Sequence, residues 1–420
     1  MRVAVIGAGV SGLVAAHQLH AAGHEVTVFE AAAYAGGHTN TVRVDEPDAT
    51  LDVDTGFIVF NNRNYPNFER LLGRLGVASQ PSDMSFGVGD EGGDFEYAST
   101  SPNGLYAKRA HLASPAFHRM VFDVRRFQRE ARALLASDDD PSLGGWLADR
   151  GFSGAFVDKL IVPQAAAVWS ADPDQMWTFP ARFLVQFFDN HGMLDLKGRP
   201  QWRVVTGGSR QYVARLIAPY ADRLRLATPV DAVTRDADGG GVTITPRHGD
   251  PERFDHVVLA THADQSLALL GDGATAAERE LLGAFPYAAN EAVLHTDERL
   301  LPRRRRAWAS WNYHLLSTPT GKPTVTYHMN RLQSLDARRQ WCVTLNRTEA
   351  IDPDKVVRTI QYAHPVFTQD GARAQQRIHE ISGGRGRTHF CGAYWGWGFH
   401  EDGVVSGLRV ARDLGTEPVA

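Results

Sequence analysis

Arg2-Val3-Ala4-Val5-Ile6-Gly7-Ala8-Gly9-Val10-Ser11-Gly12 is the stretch that decides the fold. Its first half is a short, nearly continuous apolar run, the pattern of a strand buried on both faces. Its second half is a G-x-G-x-x-G turn. A helical pattern follows, with Gly12, Ala16 and Leu19 on one face, and Gly23 predicts the stop. Val26-Thr27-Val28-Phe29 predicts a second strand that ends on Glu30. Gly7 permits a tight turn, Gly9 lets the backbone approach a pyrophosphate, and Gly12 lets helix and strand pack closely. The helix start, at Val10 and Ser11, offers free N–H groups and the positive end of a dipole to phosphate. Glu30 stands where a carboxylate accepts hydrogen bonds from ribose hydroxyls. Strand, turn, helix, strand and acid in this order predict a dinucleotide-binding βαβ unit.

The rest of the composition narrows the class. At 420 residues the chain exceeds what one core usually supports, so two intertwined domains are expected. A hydrophobic share of 43% with 22% charged residues is that of an ordinary soluble globular protein. A net charge of −4 argues against a nucleic-acid partner. No uninterrupted apolar run is long enough for a spanning helix. The first strand opens at residue 2, which predicts no leader, and a cytoplasmic location is the expectation. Cys342 and Cys391 are too few and too far apart for a disulfide framework or metal knuckle. His17, His20 and His24 resemble metal spacing, but Gly23 breaks the helix, so no metal site is expected. Arg303 to Arg306, beside Trp308 and Trp311, read as a solvated loop, with contact to anionic lipid at the inner membrane face left open.

Further glycine-bearing segments lie downstream. Gly36-Gly37-His38-Thr39-Asn40-Thr41 forms a second glycine turn soon after Glu30. Asp52-Val53-Asp54-Thr55-Gly56-Phe57 follows. Gly207-Gly208-Ser209-Arg210-Gln211 precedes a helical pattern, Leu224 to Val230 reads as a strand, and Phe254 to Ala260 reads as a returning strand of the central sheet. Near the end, Gly392-Ala393-Tyr394-Trp395-Gly396-Trp397-Gly398-Phe399-His400-Glu401-Asp402-Gly403 leads into a helix. There Gly403, Gly407, Val410, Ala411 and Leu414 share one tightly packed face. Asp402 or Glu401 would cap this helix, and amides near Gly403 and Val404 would point at a cofactor.

These segments together resemble the flavoprotein group of amine oxidases, phytoene-type desaturases and protoporphyrinogen oxidase. The resemblance implies FAD as cofactor. In that group the segment matching Gly36 to Thr41 packs along the FAD phosphates and ribityl chain, and the residue after the paired glycines is usually arginine, here His38. The segment holding Asp54, Thr55 and Gly56 passes close to the flavin, and the residue matching Val230 holds adenine through its backbone. An acidic residue usually follows the glycine matching Gly392; this chain has Ala393.

The chain is also similar nearly end to end to a bacterial branch of NAD/FAD-binding, amine-oxidase-like proteins. The shared segments include Trp169-Ser170, Asn190-His191-Gly192 and Trp308 to Tyr313. That branch is associated with cyclopropane-fatty-acid-synthase-like methyltransferases and modified fatty acids.

The expected fold is α/β: a Rossmann-like FAD-binding domain of the glutathione-reductase or amine-oxidase type, with an inserted α+β substrate domain. Residues 1–75, 195–265 and 383–420 would build the first, and 76–194 and 266–382 the second. The first insertion reads as helix-rich, with Phe117, Met120, Val121, Val124 and Phe127 at core-like spacing. The second has strand-like runs at Glu291 to His295, Thr324 to His328 and Trp341 to Leu345.

For the chemistry, the resemblance places His400 where amine oxidases carry an aromatic cage residue, and an imidazole there would move a proton or stabilise charge on the ring. Amine oxidases also carry a lysine that holds a water against the flavin; the comparable stretch Tyr287 to Leu294 has none, and Asn290 or Glu291 would supply the polar contact. Trp169, Trp311, Tyr327, Trp395 and Trp397 are candidates for an apolar substrate wall, and His191, Asn312, His314, His328 and Trp308 would add polar groups to the same channel. Three readings result: an oxidoreductase taking hydride from a lipophilic substrate, an unsaturated or methylated fatty-acyl chain; a flavin amine oxidase; and a flavin-binding accessory that docks on a fatty-acid methyltransferase. Oligomeric state is not readable.

Overall fold

The computed structural model describes residues 1–169, 172–195, 198–383 and 386–417. Ser170, part of one segment singled out above, lies outside them.

Five parallel strands form the central sheet, in the order Leu224–Arg225, Glu25–Phe29, Arg2–Ile6, His256–Leu259 and Thr388–Phe390. Its members come from the start, the middle and the end of the chain. The apolar run at the N-terminus takes the centre because both its faces are covered: Val3, Ala4 and Val5 are fully buried. The helix Val10–Ala21 packs on one face, and Gly23 ends it with φ +84°. Leu224 to Val230 is not one strand. Two residues pair at the sheet edge, Ala227 turns with φ +48°, and Val230–Arg235 opens a separate three-stranded antiparallel sheet.

The C-terminal helix His400–Asp413 lies against the helix Val10–Ala21. Glycine spacing sets the approach. A Cβ on Gly403 would meet Val10 Cγ1 at 2.6 Å, and one on Gly407 would meet the Ser11 carbonyl oxygen at 2.5 Å. Asp402 caps its own helix by accepting from the Phe399 N–H at 2.9 Å. Glu401 does something else. Its carboxylate accepts from the backbone N–H groups of Asn67 and Phe68, at 3.0 and 2.9 Å, and so caps the neighbouring helix Pro66–Arg74.

A second, seven-stranded sheet runs in the order Val356–Pro365, Tyr287–His295, Cys342–Leu345, Val325–His328, Trp311–Leu315, Phe86–Asp90 and Glu96–Ala98. Its last two strands come from the segment that reads as helix-rich. Phe86-Gly87-Val88-Gly89-Asp90 carries two glycines, which obscure the strand signal. Gly87 is needed there: a Cβ would stand 3.1 Å from the carbonyls of Ala307 and Tyr97. The remainder of that segment is helical, with the long helix Pro115–Leu135, Leu143–Asp149, Val162–Trp169 and Ala181–Asn190. On the long helix Phe117, Met120 and Phe127 enter the core, whereas Val121 and Val124 face a cavity. Among the described residues no helix is long and apolar enough to cross a membrane.

The basic run is engaged with its own surroundings. Arg304 pairs with the buried Glu96 at 2.8 Å, Arg303 reaches the Glu91 carbonyl, and Arg305 lies over the Trp308 ring.

Substituting Gly407→Ala is expected to destabilise the protein by about 1–3 kcal/mol, the usual cost of overpacking, because the clash is with backbone that cannot rotate away. Urea unfolding of the variant against the parent chain measures it.

Candidate active site

A cavity of about 1700 Å³ opens at the C-terminal ends of the parallel strands, where open α/β sheets bind ligands. Gly7, with φ +103°, makes the turn from strand to helix; a Cβ there would meet the Ala260 carbonyl oxygen at 2.8 Å. At Gly9 a Cβ would meet nothing within 4 Å, so the missing side chain keeps the helix mouth open. Gly9 is the N-cap, and no side chain caps the helix. The first-turn amides therefore have no intrahelical acceptors, and Val10 and Ser11 border the cavity. The second glycine turn lies backbone to backbone against the first: a Cβ on Gly37 would sit 3.2 Å from Gly9 Cα, and Gly36 N–H donates to the Ala8 carbonyl at 2.7 Å.

Other expected residues border the same space. Glu30 is fixed at the end of its strand by accepting from the N–H groups of Ala8 and Ala32, at 2.7 and 2.8 Å. Thr55, Gly56, Val230 and Gly392 line the cavity, as does His38. The Nε2 of His38 is a buried polar atom without a partner. Uncapped amides, paired glycine turns, a held acid and an orphaned nitrogen fit an adenine dinucleotide.

Five expected contacts lie behind the wall instead. Gly12 serves helix–strand packing, where a Cβ would strike Ala260 Cβ at 2.9 Å. Gly403 and Val404 belong to the helix–helix contact. Thr39 is buried, its hydroxyl sharing bonds with Tyr212 at 2.5 Å and His400 at 3.1 Å. Asp54 is fully buried and accepts from Thr41 Oγ1, the Ser209 N–H, Ser209 Oγ and Gln333 Nε2, at 2.5, 2.9, 2.7 and 3.2 Å. It ties three segments together, and burial raises its pKa from 3.8 to about 6.

His400 reaches the cavity but is held as a neutral ring. It stacks on Phe57 with centroids 3.5 Å apart, and its Nε2 bonds Tyr212 Oη at 2.6 Å. Burial takes its pKa down to about 3, so it carries no charge at neutral pH. Asn290 does not border the cavity. It is 1% exposed and stands behind His364, whose ring does.

The other end of the cavity is apolar. Trp169, Trp311, Tyr327 and Trp397 line it together with Met84, Val124 and Leu160. Trp395 does not. The turn at Ala393–Trp395, followed by Gly396 and Gly398, separates the two indoles: Trp397 packs on Phe183 at 4.2 Å and Trp395 on Phe285 at 5.2 Å. Asn312, His314 and His328 also miss the channel because strand residues alternate. Their bonds are to Thr326, to Thr326 and Arg347, and to Gln340, while Trp308 donates to the Pro302 carbonyl. His191 lines the cavity, with its pKa lowered by burial to about 4.

Several cavity residues escaped the sequence reading. Tyr362 and His364 alternate along the strand Val356–Pro365, whose polar outer residues mask the pattern. His262 follows the returning strand by three residues. Arg125 and Gln128 sit one turn apart on the long helix, and period 3.6 could have grouped them with Val121 and Val124.

Fold and site together define a flavoprotein with a Rossmann-type dinucleotide site and an inserted substrate domain. Residues 10–332 match the model of the flavin containing amine oxidoreductases, and the chain belongs to that family, whose cofactor is FAD. It is 25% identical over 280 residues to the flavin-dependent L-tryptophan oxidase RebO of Lentzea aerocolonigenes, covering 61% of this chain and 57% of that one. It is 23% identical over 281 residues to the 15-cis-phytoene desaturase of Capsicum annuum, covering 63% and 47%. The matched region thus spans about half the length of these curated relatives. In fold it resembles cyclohexylamine oxidase from Brevibacterium oxydans, with TM-score 0.69, 18% identity and 99% of each chain covered. The CLA-producing fatty acid isomerase from P. acnes gives TM-score 0.67, 16% identity and 98% of each chain.

Asp54→Ala is expected to lower the unfolding free energy by about 2–4 kcal/mol, since it strands several buried donors. The folded state holds the Asp54 proton up to a higher pH than the unfolded chain does. The parent chain's stability relative to the variant should therefore fall as pH rises from about 4 to about 6, and level off above. Urea titrations across that range measure both effects.

Proposed function

We propose that this protein is an FAD-dependent oxidoreductase acting on a long lipophilic substrate of the fatty-acyl class. One observation carries the reading. The cavity runs without interruption from the dinucleotide turns to an aromatic and aliphatic wall, and its 1700 Å³ exceeds the 300–1,000 Å³ typical of one ligand. Bound FAD would supply the redox chemistry, hydride acceptance, on which desaturation, oxidation or double-bond isomerisation of such a substrate would depend.

The chain's own residues do the rest. Trp169, Trp311, Tyr327 and Trp397 exclude water and hold a hydrocarbon chain. His191 and His400 are neutral, which suits an uncharged reacting segment. The strand Tyr287–His295 offers no lysine to activate a water, and that argues against amine oxidation. A fatty acid isomerase and a phytoene desaturase stand among the similar proteins.

Arg125, Gln128 and Gln164 border the cavity from two helices. Among the described residues, their side chains make no hydrogen bond or ion pair. A carboxylate headgroup is the ligand such a set would receive, through charge-assisted hydrogen bonds.

Anaerobic mixing of the FAD-loaded protein with unsaturated and methylated fatty acids should bleach the flavin, while polyamines and aromatic amines should leave it yellow. Bleaching by amines alone would overturn the reading. Arg125→Ala is expected to raise KM for a free fatty acid about tenfold with kcat unchanged, and to leave the methyl ester unaffected. Steady-state kinetics with the acid and ester pair checks this.

A further inference from the structure

Three imidazoles meet where the second glycine turn faces the substrate sheet. His38 stacks on Tyr362 with centroids 4.8 Å apart, and its ring lies 5.2 Å from His364 and 6.4 Å from His262. His262 in turn stacks on Tyr287 at 4.4 Å. All five rings border the cavity. His38 follows Gly37, the residue lying against Gly9, so the cluster adjoins the dinucleotide turns.

Amides behind His364 decide which of its nitrogens carries hydrogen. The Glu291 N–H donates to Asn346 Oδ1 at 3.0 Å, which fixes how that amide faces. Asn346 Nδ2 then donates to the Pro323 carbonyl at 3.0 Å and to Asn290 Oδ1 at 2.7 Å. With its oxygen so used, Asn290 presents Nδ2 to the Ala288 carbonyl at 3.2 Å and to His364 Nδ1 at 3.0 Å. An amide NH₂ only donates, so Nδ1 must accept and the ring hydrogen sits on Nε2. Protonating the ring would set N–H against N–H, and relieving that would break the Asn290–Asn346 bond.

We propose that His364 is a fixed neutral hydrogen-bond donor to an oxygen of the bound dinucleotide, with Asn290 and Asn346 as its positioning residues. The role rests on the FAD site and is independent of the substrate.

The groups facing His364 are consistent with a neutral ring. His38 approaches from the glycine turn, His262 from the end of the returning strand, and Tyr362 from its own strand, with Tyr287 behind His262. Asp264 acts on His262. Burial first, and His262 second, bring the His364 pKa down to about 4.

The test is made on the full chain, with and without FAD. In ¹⁵N-histidine spectra of the FAD-loaded protein, the His364 resonances should be those of an Nε2–H ring that does not titrate between pH 5 and 8. An Nδ1–H tautomer, or titration within that range, would overturn the proposal and needs no variant to detect. Asn290→Asp replaces the donor by an acceptor, so Nδ1 must bind hydrogen and His364 should titrate within the range. FAD affinity of that variant should then rise as pH falls, by about tenfold across the titration, beyond any change in the parent chain. His364→Phe should weaken FAD about tenfold, and His364→Gln, which restores an N–H, should recover most of the loss. Unchanged affinity in a folded His364→Phe protein would sink the idea. ADP identifies the oxygen: its affinity falls with that of FAD for a phosphate contact and holds for a flavin-ring contact. Either result supports a donor role, and loss of fatty-acid turnover alone, with FAD affinity intact, counts against it.

Discussion

Two helices from opposite ends of the chain touch at glycines, and the site exists because of that contact. Gly403 and Gly407 bring the C-terminal helix onto the backbone at Ser11, so the loop before it, Gly392 to Phe399, must lie over the mouth of the first helix. Larger residues at either glycine would separate the helices and widen the cavity where the dinucleotide's phosphates would lie. The contact also recruits a third segment, because Glu401 caps the helix Pro66–Arg74 while Asp402 caps its own. Asp54 extends the same logic on the other side, joining the Ser209 turn to Gln333 of the substrate domain through buried hydrogen bonds.

The cavity is graded in polarity along its length. At the dinucleotide end the favourable terms are backbone amides, a helix dipole and a held carboxylate, none of which needs a buried side-chain cation. His38, His364 and His400 are all pushed toward neutrality by burial. At the substrate end aromatic rings dominate, and Arg125, Gln128 and Gln164 add polar side chains from two helices.

Which residues the sequence exposes follows from the range of the forces involved. Gly7, Gly9, Gly36, Gly37 and Glu30 act through turn geometry and short-range backbone contact, so their spacing along the chain is nearly their arrangement in space. Apolar runs likewise announce the strands that are covered on both faces. The strand Phe86–Asp90 is hidden because its Gly87 answers to the Ala307 and Tyr97 carbonyls, which arrive from elsewhere. Trp395 and Asn290 are residues of a plausible type, but Trp395 packs on Phe285 and Asn290 is screened from the cavity by His364.

The amino-acid order alone thus determined the βαβ dinucleotide unit and the separated glycine segments, since local sterics and hydrogen bonding fix each of them, and FAD followed from the family that those segments resemble. Only the tertiary structure decided which side chains share the cavity. The pairing of Tyr287–His295 with Val356–Pro365 puts His364 in front of Asn290, and the turn Ala393–Trp395 gives the cavity Trp397 and withholds Trp395. Facing depends on strand register and on where a chain reverses, and both are settled by partners tens to hundreds of residues distant.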